Sequence, residues 1–129
     1  MSIVGIGSDI VKVSRIERLV ERYDQRFLQR LFTAAETAYA SNKARPALHL
    51  AARFAAKEAF VKALGSGLRE GLNWCDIEVT NNQLGQPQLK LHNYVRQVCH
   101  ERLNATTWLS LAHEQEFALA FVVLEEKNS

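Results

Sequence analysis

An α+β fold, with an antiparallel sheet packed on a long central helix, is what this chain predicts, and three observations carry the prediction. The stretches richest in Ile and Val lie at the two ends, Ile3 to Val13 and Phe117 to Glu125, with an extended pair between them. Helical spacing clusters in the first half. Ala47 to Leu64, built from Ala, Leu and Phe without a breaker, is the longest helix and the natural spine. Helices and strands that segregate in this way favour α+β layers over an alternating parallel sheet.

In chain order, Ile3 to Val13 reads as a strand, and Ser14 caps a helix over Arg15 to Tyr23. A short helix takes Phe27 to Leu31. Thr33 and Glu36 have capping-box spacing and start a helix that frays near Ser41-Asn42, with Lys43-Ala44-Arg45-Pro46 as a turn before the spine. Gly65-Ser66-Gly67 stops the spine. Trp74 to Thr80 and Gln88 to His92 pair across the turn residues Asn81 to Pro87. Tyr94 to Leu103 is helical, with Asn93 as its cap, and Asn104-Ala105 ends it. Thr107 to Ala112 and Phe117 to Glu125 close the chain as strands around the turn from His113 to Glu116.

A length of 129 residues suffices for one core and is short for two, which predicts a single domain over 1–129. Hydrophobic residues at 47% and charged residues at 23% exclude disordered and fibrous classes. Cys75 and Cys99 lack the spacing of a disulfide framework or a zinc site. Reduced thiols, the absence of a basic lead and of any membrane-length apolar stretch lead to the expectation of a soluble, cytoplasmic protein without membrane attachment. A net charge of +2 is too small to imply a nucleic-acid partner. No Walker loop, dinucleotide fingerprint or nucleophile elbow occurs, and His49, His92, His100 and His113 lack metal or triad spacing. His113 alone, at a predicted strand end, is a candidate site residue.

Glu58 stands out on the spine. At about 100° per residue, Glu58 and Lys62 project among Ala51, Phe54, Ala55 and Val61, while Arg53 and Lys57 point well away. A carboxylate among apolar groups needs a partner, either Lys62 one turn on or a metal ion. Asp9 is the second anomaly, because alternation places it on one strand face with Gly5 and Gly7. Those glycines either let the spine helix approach, with Asp9 capping a loop, or make room for a ligand. Two carboxylates on separate core elements suit magnesium, which takes one or two protein oxygens and fills its shell with water and phosphate. Lys62 would then hold a phosphate oxygen. The plain alternative is a solvated Glu58–Lys62 pair worth a few tenths of a kcal/mol.

Arg15, Arg18, Arg22, Arg26 and Arg30 recur at three- and four-residue intervals, interleaved with Glu17, Glu21 and Asp24. On one continuous helix they form a basic stripe, either an ordinary solvated face or a dock for an acidic partner. No aromatic residues interleave to stack on bases, which disfavours nucleic acid. If Glu58 and Lys62 are only structural, the chain is a noncatalytic module that binds acidic proteins through this stripe.

Gly5-Ile6-Gly7-Ser8-Asp9-Ile10, Arg15-Ile16-Glu17, Arg53 to Ala59 with Lys62-Ala63, Gly65-Ser66-Gly67 and Gly85-Gln86-Pro87 occur in the order and at the spacing of a known family. Together they resemble the bacterial holo-acyl-carrier-protein synthases, small 4′-phosphopantetheinyl transferases, over nearly the full chain. The resemblance implies that family's fold and the transfer of 4′-phosphopantetheine from coenzyme A to a serine of apo acyl carrier protein, leaving adenosine 3′,5′-bisphosphate. It implies that Asp9 and Glu58 hold Mg2+ against the coenzyme A pyrophosphate, with Lys62 on the phosphate under attack and Glu58 and Lys62 as the catalytic pair. Glu58 orients or deprotonates the attacking group through a metal-bound water, or an acid on the carrier protein serves. Arg53, Lys62, Gly65, Ser66, Pro87 and His113 fall to coenzyme A binding, and Arg15, Arg18 and Arg22 to docking of the acidic carrier. A homotrimer with active sites between subunits is also implied. Two departures stand out: Gln86 replaces a common Lys, and Ala112 precedes His113 where many members carry Ser or Thr.

Overall fold

The computed structural model describes residues 2–23, 25–65 and 71–127. Strand β1 (Ile3–Lys12) leads into α1 (Val13–Arg22), α2 (Gln25–Leu31), α3 (Ala34–Ser41) and α4 (Pro46–Leu64). After these come β2 (Ile77–Asn81), β3 (Pro87–Leu91), α5 (Asn93–Arg96), β4 (Ala105–His113) and β5 (Phe117–Glu126). The sheet order is β1-β5-β4, antiparallel throughout, and β2 and β3 form a separate antiparallel pair. This is the predicted α+β arrangement, with α4 as the spine against the three-stranded sheet.

The register sorts every residue of that sheet to one of two faces. Gly7–Val122–Leu109 and Asp9–Ala120–Leu111 are rows on the α4 side. Ile6–Val123–Trp108, Ser8–Phe121–Ser110 and Ile10–Leu119–Ala112 are rows on the opposite side. The inner rows belong to a core with Phe60, Val11, Val122 and Leu124, all buried. Contact on that side is unusually close, because a Cβ on Gly5 would run into the Ala63 carbonyl oxygen and one on Gly7 into that of Ala59. The glycines therefore do admit the spine helix, and the buried alanines of α4 complete the close approach.

Several local expectations are corrected. Ser14 caps nothing: α1 begins at Val13 from an N-cap, Lys12, without a side-chain hydrogen bond. Pro46 is helical rather than part of the turn, occupying the first turn of α4 where its missing N–H costs nothing. The segment Trp74–Asp76 is a short 3-10 turn capped by Asn73, so β2 starts only at Ile77. Asn93 is the first residue of α5, not its cap, and sits at φ 52° with its side-chain amide donating to Asp76 Oδ1. The helix that follows widens to a π-helix over Gln97–Arg102. The Thr33–Glu36 capping box forms as expected, with both reciprocal hydrogen bonds. Gly65 ends α4 at φ 65°, while Ser66 and Gly67 lie outside the described residues.

Candidate active site

The helical-wheel reading of α4 is reversed in part. Arg53 and Lys57 are the buried charges, whereas Glu58 is half-buried and Lys62 exposed. The reason is that α4 is enclosed on most sides, by α3 and β2 as well as by the sheet, so pointing away from the sheet does not mean pointing to water. Lys57 Nζ donates to Glu36 Oε1 at 2.7 Å and to the Trp74 carbonyl at 3.0 Å. Neither side chain of that ion pair has solvent exposure. Glu36 also accepts from the Thr33 and Val79 N–H groups, so each of its oxygens is satisfied.

On the β1 side, Asp9 stands next along the strand face from Gly5 and Gly7, over the helix turn that carries Glu58 and Lys62. Lys62 Nζ reaches Asp9 Oδ1 at 2.9 Å and the Ser8 carbonyl at 3.1 Å. Lys62 thus pairs with Asp9, not with Glu58 as the plain alternative required. Burial, and then the Asp9 charge, push the Glu58 carboxyl above its ordinary value, against the opposing pull of Lys62 and Arg15. Glu58 is thus a half-buried carboxylate beside a second carboxylate whose lysine is already engaged, a place where a further cation is favoured. Among the described residues no cluster of three or more His, Cys, Asp or Glu side chains is disposed to hold a metal, so a cation here would take two protein carboxylates at most. Lys62 also borders a shallow hollow of about 380 Å³ with Ile6, Gly7, Ser8 and Phe121, which opens the centre toward the outer face of the sheet.

Arg53 lies about 140° around the helix from Glu58, five residues on at 100° each. Its Nη2 donates to Asn81 Oδ1 at 2.8 Å, and its guanidinium carbon lies 4.0 Å from the centroid of the Tyr39 ring. Asn81 in turn donates to the Gly85 carbonyl, which ties Arg53 to the hairpin turn before Pro87. Pro87 opens β3 and lines a cleft of about 610 Å³ between β3 and β4. His113 ends β4, its ring 5.8 Å from that of His49 on α4. The predicted residues therefore form two groups on different sides of α4: Asp9, Glu58 and Lys62 with Arg15 near by, and Arg53 with His113 and the Pro87 hairpin.

The arginine stripe is interrupted. Arg15, Arg18 and Arg22 are exposed on α1 and, with Lys12, Leu19 and Tyr23, line a groove of about 400 Å³, but Arg26 and Arg30 belong to the separate helix α2. Glu17, on the same helix, is occupied by Arg45 at 3.2 Å. Arg15 is the residue that joins this row to the Glu58 centre. Sequence reasoning missed Asn81, Tyr39 and His49; the repeat of His49, Arg53 and Lys57 at four-residue steps was the signal that marked their side of the helix.

Comparison with known proteins agrees with this geometry. Residues 5–122 match the model of the 4′-phosphopantetheinyl transferase superfamily. The holo-[acyl-carrier-protein] synthase of Geobacter sulfurreducens is 50% identical over 123 residues, 95% of this chain and 98% of the relative. A crystal structure of the holo-[acyl-carrier-protein] synthase of Neisseria meningitidis superposes with a TM-score of 0.84 at 36% identity, covering 97% of this chain and 100% of that one. A holo-(acyl-carrier-protein) synthase from Bacillus anthracis, in complex with CoA (3′,5′-ADP), gives 0.78 at 37% identity, covering 97% and 98%. Matched over nearly its whole length in sequence and in fold, the chain belongs to the 4′-phosphopantetheinyl transferase superfamily.

Proposed function

We propose that this protein transfers 4′-phosphopantetheine from coenzyme A to a serine of apo acyl carrier protein, releasing adenosine 3′,5′-bisphosphate. The observation that carries the reading is the meeting of Asp9 from β1 with Glu58 and Lys62 from α4, at a strand–helix contact that Gly5 and Gly7 make possible. Two carboxylate oxygen donors, that of Glu58 costly to ionise beside Asp9, fit Mg2+, whose preference for oxygen and for a shell completed by phosphate matches a two-carboxylate centre. When bound, the ion neutralises charge that develops on the diphosphate oxygens.

The chain's own residues do the rest. Asp9 and Glu58 hold the ion from two rigid elements, and Lys62, free to leave Asp9 because its side chain is 55% exposed, takes a phosphate oxygen. The serine oxygen forms its bond to the β-phosphorus as the bond to the adenosine-bearing phosphate oxygen breaks, and the serine proton passes to a carboxylate, that of Glu58 or one on the carrier. Gly65, which ends α4, brings backbone close to the coenzyme. Arg53, Pro87 and His113 contact coenzyme A from the other side of α4, and Arg15, Arg18 and Arg22 receive the acidic carrier next to the Glu58 centre.

Because those two groups lie apart within one chain, a complete site calls for a second copy, and we read the assembly as a homotrimer with sites between subunits. The outer sheet face supports this. Ile6 is 69% and Trp108 58% exposed, with Ile10 and Phe121 beside them, a continuous apolar surface that borders the Lys62 hollow. Among the described residues no helix is long and apolar enough to cross a membrane. The free thiols Cys75 and Cys99 suit a reducing cytoplasm.

The test is to incubate the protein with coenzyme A, Mg2+ and apo carrier and to weigh the carrier. We expect the phosphopantetheine mass increment with the wild type, and none with Asp9→Ala or Glu58→Ala variants that keep the wild-type Tm. Mixing Glu58→Ala with Arg53→Ala subunits should restore activity if sites span two chains. An unmodified carrier with wild-type protein would overturn the reading.

A further inference from the structure

His49, Arg53 and Lys57 follow at four-residue steps and share one face of α4. Of these three, only Lys57 makes an ion pair among the described residues, with Glu36. Arg53 is 3% exposed and, among the described residues, makes no ion pair. Its guanidinium donates to the neutral Asn81 amide oxygen and is hydrogen-bonded to Tyr39, and its Nε, buried, has no hydrogen-bond acceptor. The carboxylate that acts on it, Glu36, is bonded to Lys57, so a buried guanidinium with an unused N–H can still take an anion of its own. Lys43 adds a second cation over the same Tyr39 ring, 4.7 Å from its centroid.

His49 stands at the open end of this row. Its ring meets the Tyr39 and His113 rings edge-on, each at 5.8 Å. The groups that face it are Tyr39 of α3, Lys43 of the turn after α3, Arg53 of its own helix and His113 of β4, and no carboxylate is among the charges that act on it. Lys43, His49, Arg53 and His113 thus gather about the Tyr39 and His49 rings, a set of donors suited to a dianion.

We propose that His49 binds a phosphate of coenzyme A as an imidazolium, beside Arg53 and His113, taking up a proton as the ligand enters. The proposal rests on the transferase reading. Burial, then His113 and the nearby cations, hold free His49 below its ordinary value, so it is neutral near pH 7 before the ligand binds. A bound phosphate favours the charged form and moves the value upward. Proton uptake falls in the window between the free and bound values, and His49 adds affinity below the bound value and none above it. The ligand's own phosphate protonation is common to wild type and variant and cancels between them. A phosphate monoester and a diphosphate share the required chemistry, and coenzyme A carries both.

Calorimetric titration of the Mg2+-loaded protein with coenzyme A, near pH 7 in two buffers of different ionisation enthalpy, measures the proton directly. Wild type should take up more than His49→Phe, which keeps a ring between Tyr39 and His113. Wild-type affinity should gain about three- to tenfold between pH 8 and pH 6.5, as a charge-assisted bond implies, and the variant should lose that gain. NMR of the wild-type His49 ring, with and without coenzyme A, must show its titration moving to higher pH on binding. With 3′-dephospho-coenzyme A, disappearance of the difference assigns the contact to the monoester, and persistence assigns it to the diphosphate. Equal proton uptake in both proteins, or a His49 titration unmoved by ligand, overturns the proposal while leaving transfer intact. Failure of both proteins to bind coenzyme A removes the transferase reading with it.

Discussion

The two charged sides of α4 follow opposite physical rules. Toward α3, Lys57 and Glu36 are fully enclosed, and every oxygen of Glu36 has a donor. Toward β1, Asp9 holds the exposed Lys62, Glu58 makes no ion pair among the described residues, and the Glu58 carboxyl is pushed upward by burial and by its neighbour. The enclosed pair is satisfied without help and so serves the fold. The open group is unsatisfied and stays so until something positive arrives, which is what a metal-dependent centre requires. Charge in a helix therefore marks function where it is frustrated and reachable, not simply where it is buried.

That contrast can be broken most forcefully at the enclosed pair. Glu36→Gln strands the Lys57 charge and should cost about 3–5 kcal/mol, read as a fall in Tm and in the denaturant midpoint. The double change Glu36→Leu with Lys57→Met should recover much of it. Glu58→Gln should do the reverse, lowering transfer about a hundred- to a thousandfold while the metal-free Tm holds, because it removes a charge the fold does not satisfy. If Glu58→Gln also unfolds the protein, the division between the two sides fails.

A second, smaller effect probes the contact that brings the open group together. Gly7→Ala places a methyl against the Ala59 carbonyl, forcing α4 off β1. It should cost about 1–3 kcal/mol of stability and should also weaken Mg2+ binding, measured as a reduced ligand-induced rise in Tm. The smallest expected effect lies on α1. Arg18→Glu should raise KM for the carrier about tenfold, steeply dependent on salt, with KM for coenzyme A unchanged. Equal effects on both substrates would place Arg18 elsewhere than the docking surface.

Much of the site was legible before the fold was known. Asp9 beside Gly5 and Gly7, and Glu58 one turn before Lys62, were visible as residues in the wrong company, and alternation along β1 put the glycines on one face, leaving helix or ligand open until the structure set α4 against them. Less legible was which charges on α4 are enclosed. A helical wheel assumes one buried side, whereas α4 is covered by the sheet, α3 and β2 together, so Arg53 and Lys57 seemed exposed when they are buried. The Lys57–Glu36 pair escaped for the same reason that Asn81 did: each joins residues more than 20 positions apart along the chain. The break of the arginine stripe between α1 and α2 had weak local signals, with no proline or glycine at the junction.

By itself the sequence determined the residue types and the local periodicities: strands at both ends, a breaker-free spine, a capping box at Thr33, and glycines where two backbones must meet. Those depend on neighbours a few positions away, which the chain states directly. Only the tertiary structure decided that Lys62 answers Asp9 rather than Glu58, that Lys57 is neutralised in the core, and that Arg53 stands buried without an ion pair among the described residues. Each of these is a balance between desolvation and the charge that happens to face the group, and that balance exists only once distant segments are packed side by side.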